Sequence, residues 1–201
     1  MLSTTSQLAA TGVATISLIF ATQSYAQVRD FGSAGGFDIA GKASSRDEKG
    51  ICVATFEYEG PGGTKTTLSR TPDNDFQSIV WLTVANYEWS AKEDEKYNLS
   101  YHFADGEYMR EASGVVEDRI YKGFIAGFPA EEFLAVYAKS GWLHVYMGDQ
   151  VIDKLSLSGS GAGVALFNRC WTWLVGTERT AQAERDRFAD IPRDPFAKSG
   201  N

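Results

Sequence analysis

Between Tyr97 and Phe103 every second residue is apolar, with Tyr97, Leu99, Tyr101 and Phe103 set against Asn98, Ser100 and His102. An extended strand with one buried face gathers such a row on one side. The same period of two runs from Ile51 to Glu59, where Cys52, Ala54, Phe56 and Tyr58 alternate with Val53, Thr55 and Glu57. Cys52 therefore points inward. Phe76 to Tyr87 is apolar on both faces, Val80, Leu82 and Val84 opposing Ile79, Trp81 and Ala85, as in a central strand.

Turn residues separate these runs and set the order of the rest. Gly60-Pro61-Gly62-Gly63 turns the chain into a strand over Lys65 to Arg70, and Pro72-Asp73-Asn74 breaks it. Asp105-Gly106 marks a hairpin into a strand around Glu107 to Ser113, and a further strand fits Arg119 to Ala126. Trp142 to Met147 and Gln150 to Leu157 form another hairpin about Gly148-Asp149. Two segments read as helices. Pro129-Ala130-Glu131-Glu132 opens the first with acidic residues in its first turn, and Lys139-Ser140-Gly141 closes it. The second runs from Ser160 to about Leu174, with Val164, Phe167, Trp171 and Leu174 on one stripe and Cys170 beside it. The pattern predicts a β-rich α+β fold, an antiparallel β-sandwich or curled sheet with two short helices packed on one side or end.

Residues 1 to 26 contain no Lys, Arg, Asp or Glu, carry the apolar run Leu8 to Ala21, and end in Ser24-Tyr25-Ala26. This is the pattern of a secretory signal peptide cleaved before Gln27, and its apolar part is too short and too diluted for a membrane span. Export to the periplasm or beyond changes how the cysteines read. In an oxidising compartment Cys52 and Cys170 can form a disulfide if their α-carbons come within reach; the alternative is two separate buried thiols. No Cys-x-x-Cys arrangement points to redox chemistry.

The single β-rich domain is expected to span residues 27 to 176, followed by a charged tail over 177 to 201. From Glu178 to Lys198 five acidic and five basic residues cancel, so the net charge of −7 belongs to the domain before it. Phe188, Ile191 and Phe196 are the anchors available to a short docking motif, the alternative being a solvated tail. With 19 Lys and Arg against 26 Asp and Glu, the chain lacks the cationic face that nucleic acid or anionic lipid requires. Two His and two Cys without zinc-finger spacing leave no metal signature, and no cofactor motif is present.

Three constellations carry possible chemistry. If Gly148-Asp149 is a two-residue loop, Tyr146 lies opposite Val151, His144 opposite Asp153 and Trp142 opposite Leu155. A carboxylate beside an imidazole raises its pKa and orients it, so His144 and Asp153 would serve as an acid-base pair for a hydrolase or lyase; the plainer reading is a cross-strand ion pair. Trp142, His144 and Tyr146 share one face and form a candidate ligand platform. The second constellation is Leu157-Ser158-Gly159-Ser160-Gly161-Ala162-Gly163, a strand passing through glycines into a helix. It lacks the Walker lysine, the dinucleotide spacing and a Gly-x-Ser-x-Gly frame, so Ser160 reads as a helix cap. The third is His102, on the polar face with Asn98 and Ser100, where a solvated side chain is expected.

The order of Phe37-Asp38-Ile39, the Cys52 strand, a long apolar strand, the Phe133/Leu134 helix, Trp142-Leu143-His144-Val145, Val151-Ile152-Asp153-Lys154-Leu155-Ser156-Leu157 and a small-residue helix resembles small secreted proteins of alphaproteobacteria. Over about residues 35 to 175 it is similar to the invasion-associated locus B family. The resemblance implies a single β-rich periplasmic domain of the cell envelope and carries over no catalytic residue. The sequence thus leads to a secreted envelope binding or accessory module, acting on a protein or small ligand, with the His144–Asp153 hydrolase or lyase as the alternative.

Overall fold

The computed structural model describes residues 27–45, 48–59, 62–72 and 79–189. The leader, the start of the central strand at Phe76, Gly60-Pro61 of the first turn, the side chain of Phe188, and Ile191 and Phe196 lie outside the described residues.

Ten strands form one antiparallel sheet: β1 (Val28–Ala34), β2 (Phe37–Lys42), β3 (Ile51–Glu57), β4 (Thr64–Arg70), β5 (Ile79–Asn86), β6 (Lys96–Phe103), β7 (Gly106–Glu117), β8 (Tyr121–Pro129), β9 (Trp142–Met147) and β10 (Gln150–Ser156). Their order across the sheet is β1-β2-β3-β4-β5-β8-β7-β6-β9-β10. Helix α1 (Ala130–Lys139) packs on β5 and β8, and α2 (Ser160–Ala189) packs on β1 to β3 and on α1. The expected α+β class is therefore realised as a curled sheet. The curl is tight enough that β10, last in the strand order, returns over β3 and β4. There Ser156 O accepts a hydrogen bond from Tyr58 Oη at 2.9 Å, and Asp153 Oδ2 accepts one from Thr64 Oγ1 at 2.7 Å. At Gly35 the turn between β1 and β2 meets Gly159 so closely that a Cβ would lie 1.9 Å from the Gly159 carbonyl oxygen. Both residues have positive φ, +59° and +84°, so glycine is required at this closure twice over.

The core fills the concave side. Leu99, Tyr101 and Phe103 of β6 are buried as the alternation predicts, and Leu82, Val84, Phe124 and Phe128 face them. Phe133 of α1 stacks on Phe128 with ring centroids 4.2 Å apart and touches Phe103, Tyr108 and Tyr137 edge-on or tilted. Cys52 is fully buried on β3 and bonded to Cys170 of α2, with α-carbons 6.0 Å apart. This pairing fixes α2 across the first strands. At the start of α2, Ser160 Oγ donates to the Tyr137 carbonyl of α1 at 2.9 Å and is buried, so it joins the two helices.

Two expectations need correction, and one strand is new. β5 is central, but only its second half is buried on both faces: Thr83 and Ala85 are buried, whereas Ile79 and Trp81 on the same side are exposed. β1, which the sequence pattern does not predict, has no alternation: mostly exposed and bulged at Phe31, it gains purchase through that residue, 5.6 Å from the Trp173 ring. The domain does not end at Gly176. α2 runs on to Ala189, Glu178 Oε1 accepts the Ser44 amide at 2.7 Å, and Arg185 and Asp186 bond to Gln182 along the exposed last turns. A single glycine costs a helix only about 1 kcal/mol, which these contacts offset.

Candidate functional site

The β9–β10 hairpin turns at Gly148-Asp149 as expected, with Met147 opposite Gln150 and Tyr146 opposite Val151. A bulge at Ile152 then shifts the register. Asp153 falls opposite Val145, Lys154 opposite His144, Leu155 opposite Leu143 and Ser156 opposite Trp142. The expected pairs His144–Asp153 and Trp142–Leu155 are not formed. The physical reason lies in the core: without the bulge Lys154 would share the inward face with Leu143, and Leu155 would point outward. One extra residue reverses this, burying Leu155 beside Leu143 and returning the ammonium to water.

His144 consequently faces a cation. Partial burial, Lys154 and His102 together hold its pKa below the ordinary histidine value. A general base oriented by a carboxylate would move the other way. On the outer face Trp142 and His144 lie 4.3 Å apart and tilted by 30°, His102 sits directly across the strand pair from His144, and His102 and Tyr146 are 4.5 Å apart. These rings form a row of tilted contacts along the outer face, with Trp142 exposed at its end. His102 also pairs with Glu107, Nε2 to Oε1 at 3.3 Å. In a proton-detected titration the His144 imidazole is expected to change charge below about 6.5, and Lys154→Gln to raise that midpoint. Because the folded form binds this proton less readily than the unfolded chain, His144 favours folding above its unfolded pKa and disfavours it as the pH falls. A midpoint above that of a free histidine would contradict this assignment.

Asp153 has a different task. Its Oδ2 accepts from Thr64 Oγ1, which in turn accepts from Asn86 Nδ2 at 3.1 Å, while Asn86 Oδ1 accepts the Glu88 amide at 2.8 Å. Thr64 and Asn86 are buried, so this relay ties the hairpin to the β5–β6 loop through groups that must be satisfied. Between the tied parts opens a cleft of about 390 Å³, walled by Trp89 and Tyr97 on one side and Met147 and Val151 on the other, with Phe124 at its base. The Trp89 and Tyr97 rings lie 5.5 and 4.8 Å from Phe124. Glu88 and Gln150 supply polar groups. The loop is seated on Gly114 of β7, whose amide donates to Glu95 O at 2.8 Å and whose carbonyl accepts from Asp94 N at 3.0 Å. A Cβ there would lie 1.8 Å from the Lys92 carbonyl oxygen.

Sequence reasoning missed this cleft. A tryptophan inside the acidic loop Glu88 to Glu95 was the available signal, but its opposite wall lies some sixty residues on. A second cleft, about 600 Å³, separates α1 from α2, with Arg70 stacked on Trp171 at 3.9 Å and Glu131 and Lys139 offering opposite charges. Among the described residues no group of three or more His, Cys, Asp or Glu is placed to hold a metal ion. Comparison with known proteins finds no matching family model, curated protein or solved structure.

Proposed function

We propose that the protein is a non-catalytic binding module of the cell envelope, exported and disulfide-clamped, whose ligand occupies the cleft between the β5–β6 loop and the hairpin tip. The observation that carries the reading is the relay from Asp153 through Thr64 and Asn86 to the Glu88 amide, which holds the two cleft walls at a fixed separation. Preformed, largely apolar clefts with a few polar groups are the usual form of small-ligand sites, and rigid walls lower the entropy lost on binding. Asp153 is spent on that relay and is not opposite His144, so the hydrolase or lyase reading lacks the carboxylate that would orient its imidazole base.

Export is supported by the charge-free leader and by the Cys52–Cys170 bridge, which suits an oxidising compartment. No described helix is long and apolar enough to cross a membrane. The family resemblance of the sequence points to the same place. Mass spectrometry of the protein from envelope fractions tests export: the expected species begins at Gln27 with the bridge intact, and a reduced chain retaining its leader would overturn it. The binding reading is tested with Gly114→Ala. The added methyl group must displace the Lys92 carbonyl, so the variant is expected to lose about 1–3 kcal/mol of stability and all affinity for small molecules bound by the parent. Trp142→Ala is expected to leave those ligands bound. The reverse pattern, read by saturation-transfer NMR, would place the site on the outer face of β9 instead.

A further inference from the structure

Resting on the cleft as the ligand site, we infer that its ligand is an organic ammonium ion, a quaternary or protonated amine on a short apolar body. Three aromatic rings meet there at different inclinations, Trp89 tilted 40° and Tyr97 72° to Phe124. Faces set at an angle around one space suit a compact cation, which each ring attracts within about 6 Å of its centroid. Phe124 is buried, so the partly buried Trp89 and Tyr97 supply the ring surface open to a ligand. The Tyr97 hydroxyl donates to Glu95 Oε2 and accepts the Lys92 amide, both at 3.1 Å, so the ring is held in place at the cleft wall. The polarisable thioether of Met147 completes an apolar wall for the ligand body.

Charge selects the same class. Glu88 lines the cleft, and neither it, Glu93 nor Asp94 has a cationic partner among the described residues. The loop's lysine and the one that opens β6 are engaged elsewhere: Lys92 lies 3.7 Å from Glu95, and Lys96 is bound to Ser113 at 2.7 Å and lies 3.7 Å from Glu111. Glu88 is the one charged residue among those lining the cleft, so an anion would meet a carboxylate and no cation there. An uncharged molecule would gain the apolar contacts without the carboxylate or the ring quadrupoles.

The test titrates the oxidised protein with choline and, separately, with 3,3-dimethylbutan-1-ol, which has the same shape without the charge. The readout is the Trp89 indole N–H signal at low ionic strength, assigned by its absence in Trp89→Phe. Choline is expected to shift this signal and to bind about tenfold more tightly than the alcohol. Glu88→Gln is expected to weaken choline severalfold and leave the alcohol unchanged. Equal binding of the two molecules would overturn the ammonium assignment while keeping the cleft as a ligand site. If neither moves Trp89, and both instead perturb other residues or none, the ammonium assignment and the cleft both fall.

Discussion

Replacing Cys52 and Cys170 together with alanine is expected to lower the unfolding free energy by about 4 kcal/mol, the largest effect of any change that leaves the core volume nearly intact. The bridge closes a loop across 118 residues of sequence, and on the chain-entropy account a loop of that order constrains the unfolded chain by about 4–5 kcal/mol. For a domain of this size each kcal/mol moves Tm by about 2–4 °C, so a fall of roughly 8–16 °C should appear in calorimetry. Alanine is the informative choice, because serine would add two hydroxyls to a fully buried site. The loss should be felt first where α2 crosses β2 and β3. There Gly41 leaves only enough room for Cys170 and Trp173, since a Cβ on it would come within 2.7 Å of the sulfur. A change below about 1 kcal/mol would mean that the packing of Phe167 and Leu174 alone holds the helix.

Phe133→Ala is expected to cost about 3–5 kcal/mol. The ring is fully buried, stacked on Phe128, and it is the point at which α1 engages Phe103 and Tyr108 of the opposite layer. Truncation leaves a hole lined by aromatic faces that cannot close without moving α1. The neighbouring Glu132→Ala, on the exposed side of the same turn, should stay within about 0.5 kcal/mol and serves as the control. Equilibrium denaturation of the two variants checks both figures. A small effect at Phe133 would show that α1 is held mainly by α2.

How far these features were legible in the chain follows from what each one depends on. β6, β3 and both helix starts depend on local periodicity and end signals, and they stand where Tyr97 to Phe103, Cys52 and Pro129 place them. The disulfide was legible only as a possibility, from an inward Cys52 and a Cys170 beside the helix stripe, because whether their α-carbons come within reach depends on how α2 crosses the sheet. The His144–Asp153 pair depended on register, which propagates along a hairpin and fails at one inserted residue. That residue had left a trace: Ile152 and Leu155 are both apolar but three apart, a step a regular strand cannot make with both facing inward. β1 was illegible because an edge strand with little burial has no reason to alternate. The cleft was illegible for a deeper reason. Its walls meet because β9 pairs with β6, which sets Met147 opposite Leu99, two residues along from Tyr97, and that non-sequential strand order is not a property of any window of sequence.

The same contrast explains why the exposed Trp142, His144 and Tyr146 row, prominent in the sequence, is the weaker candidate site. Its rings lie in a row along one strand with no second wall facing them, whereas Trp89 and Tyr97 line a cleft bounded on the other side by Met147 and Val151. A flat patch yields little buried area per ligand, and a cleft encloses its occupant from several sides.

The most direct measurement is an amide and indole chemical-shift map of the oxidised protein against a library of small fragments, both charged and neutral. The account predicts that shifts concentrate at Trp89, Tyr97, Phe124 and Met147, and that Gly114→Ala removes them. Shifts centred on Trp142, His144 and Tyr146, with the cleft silent, would contradict it.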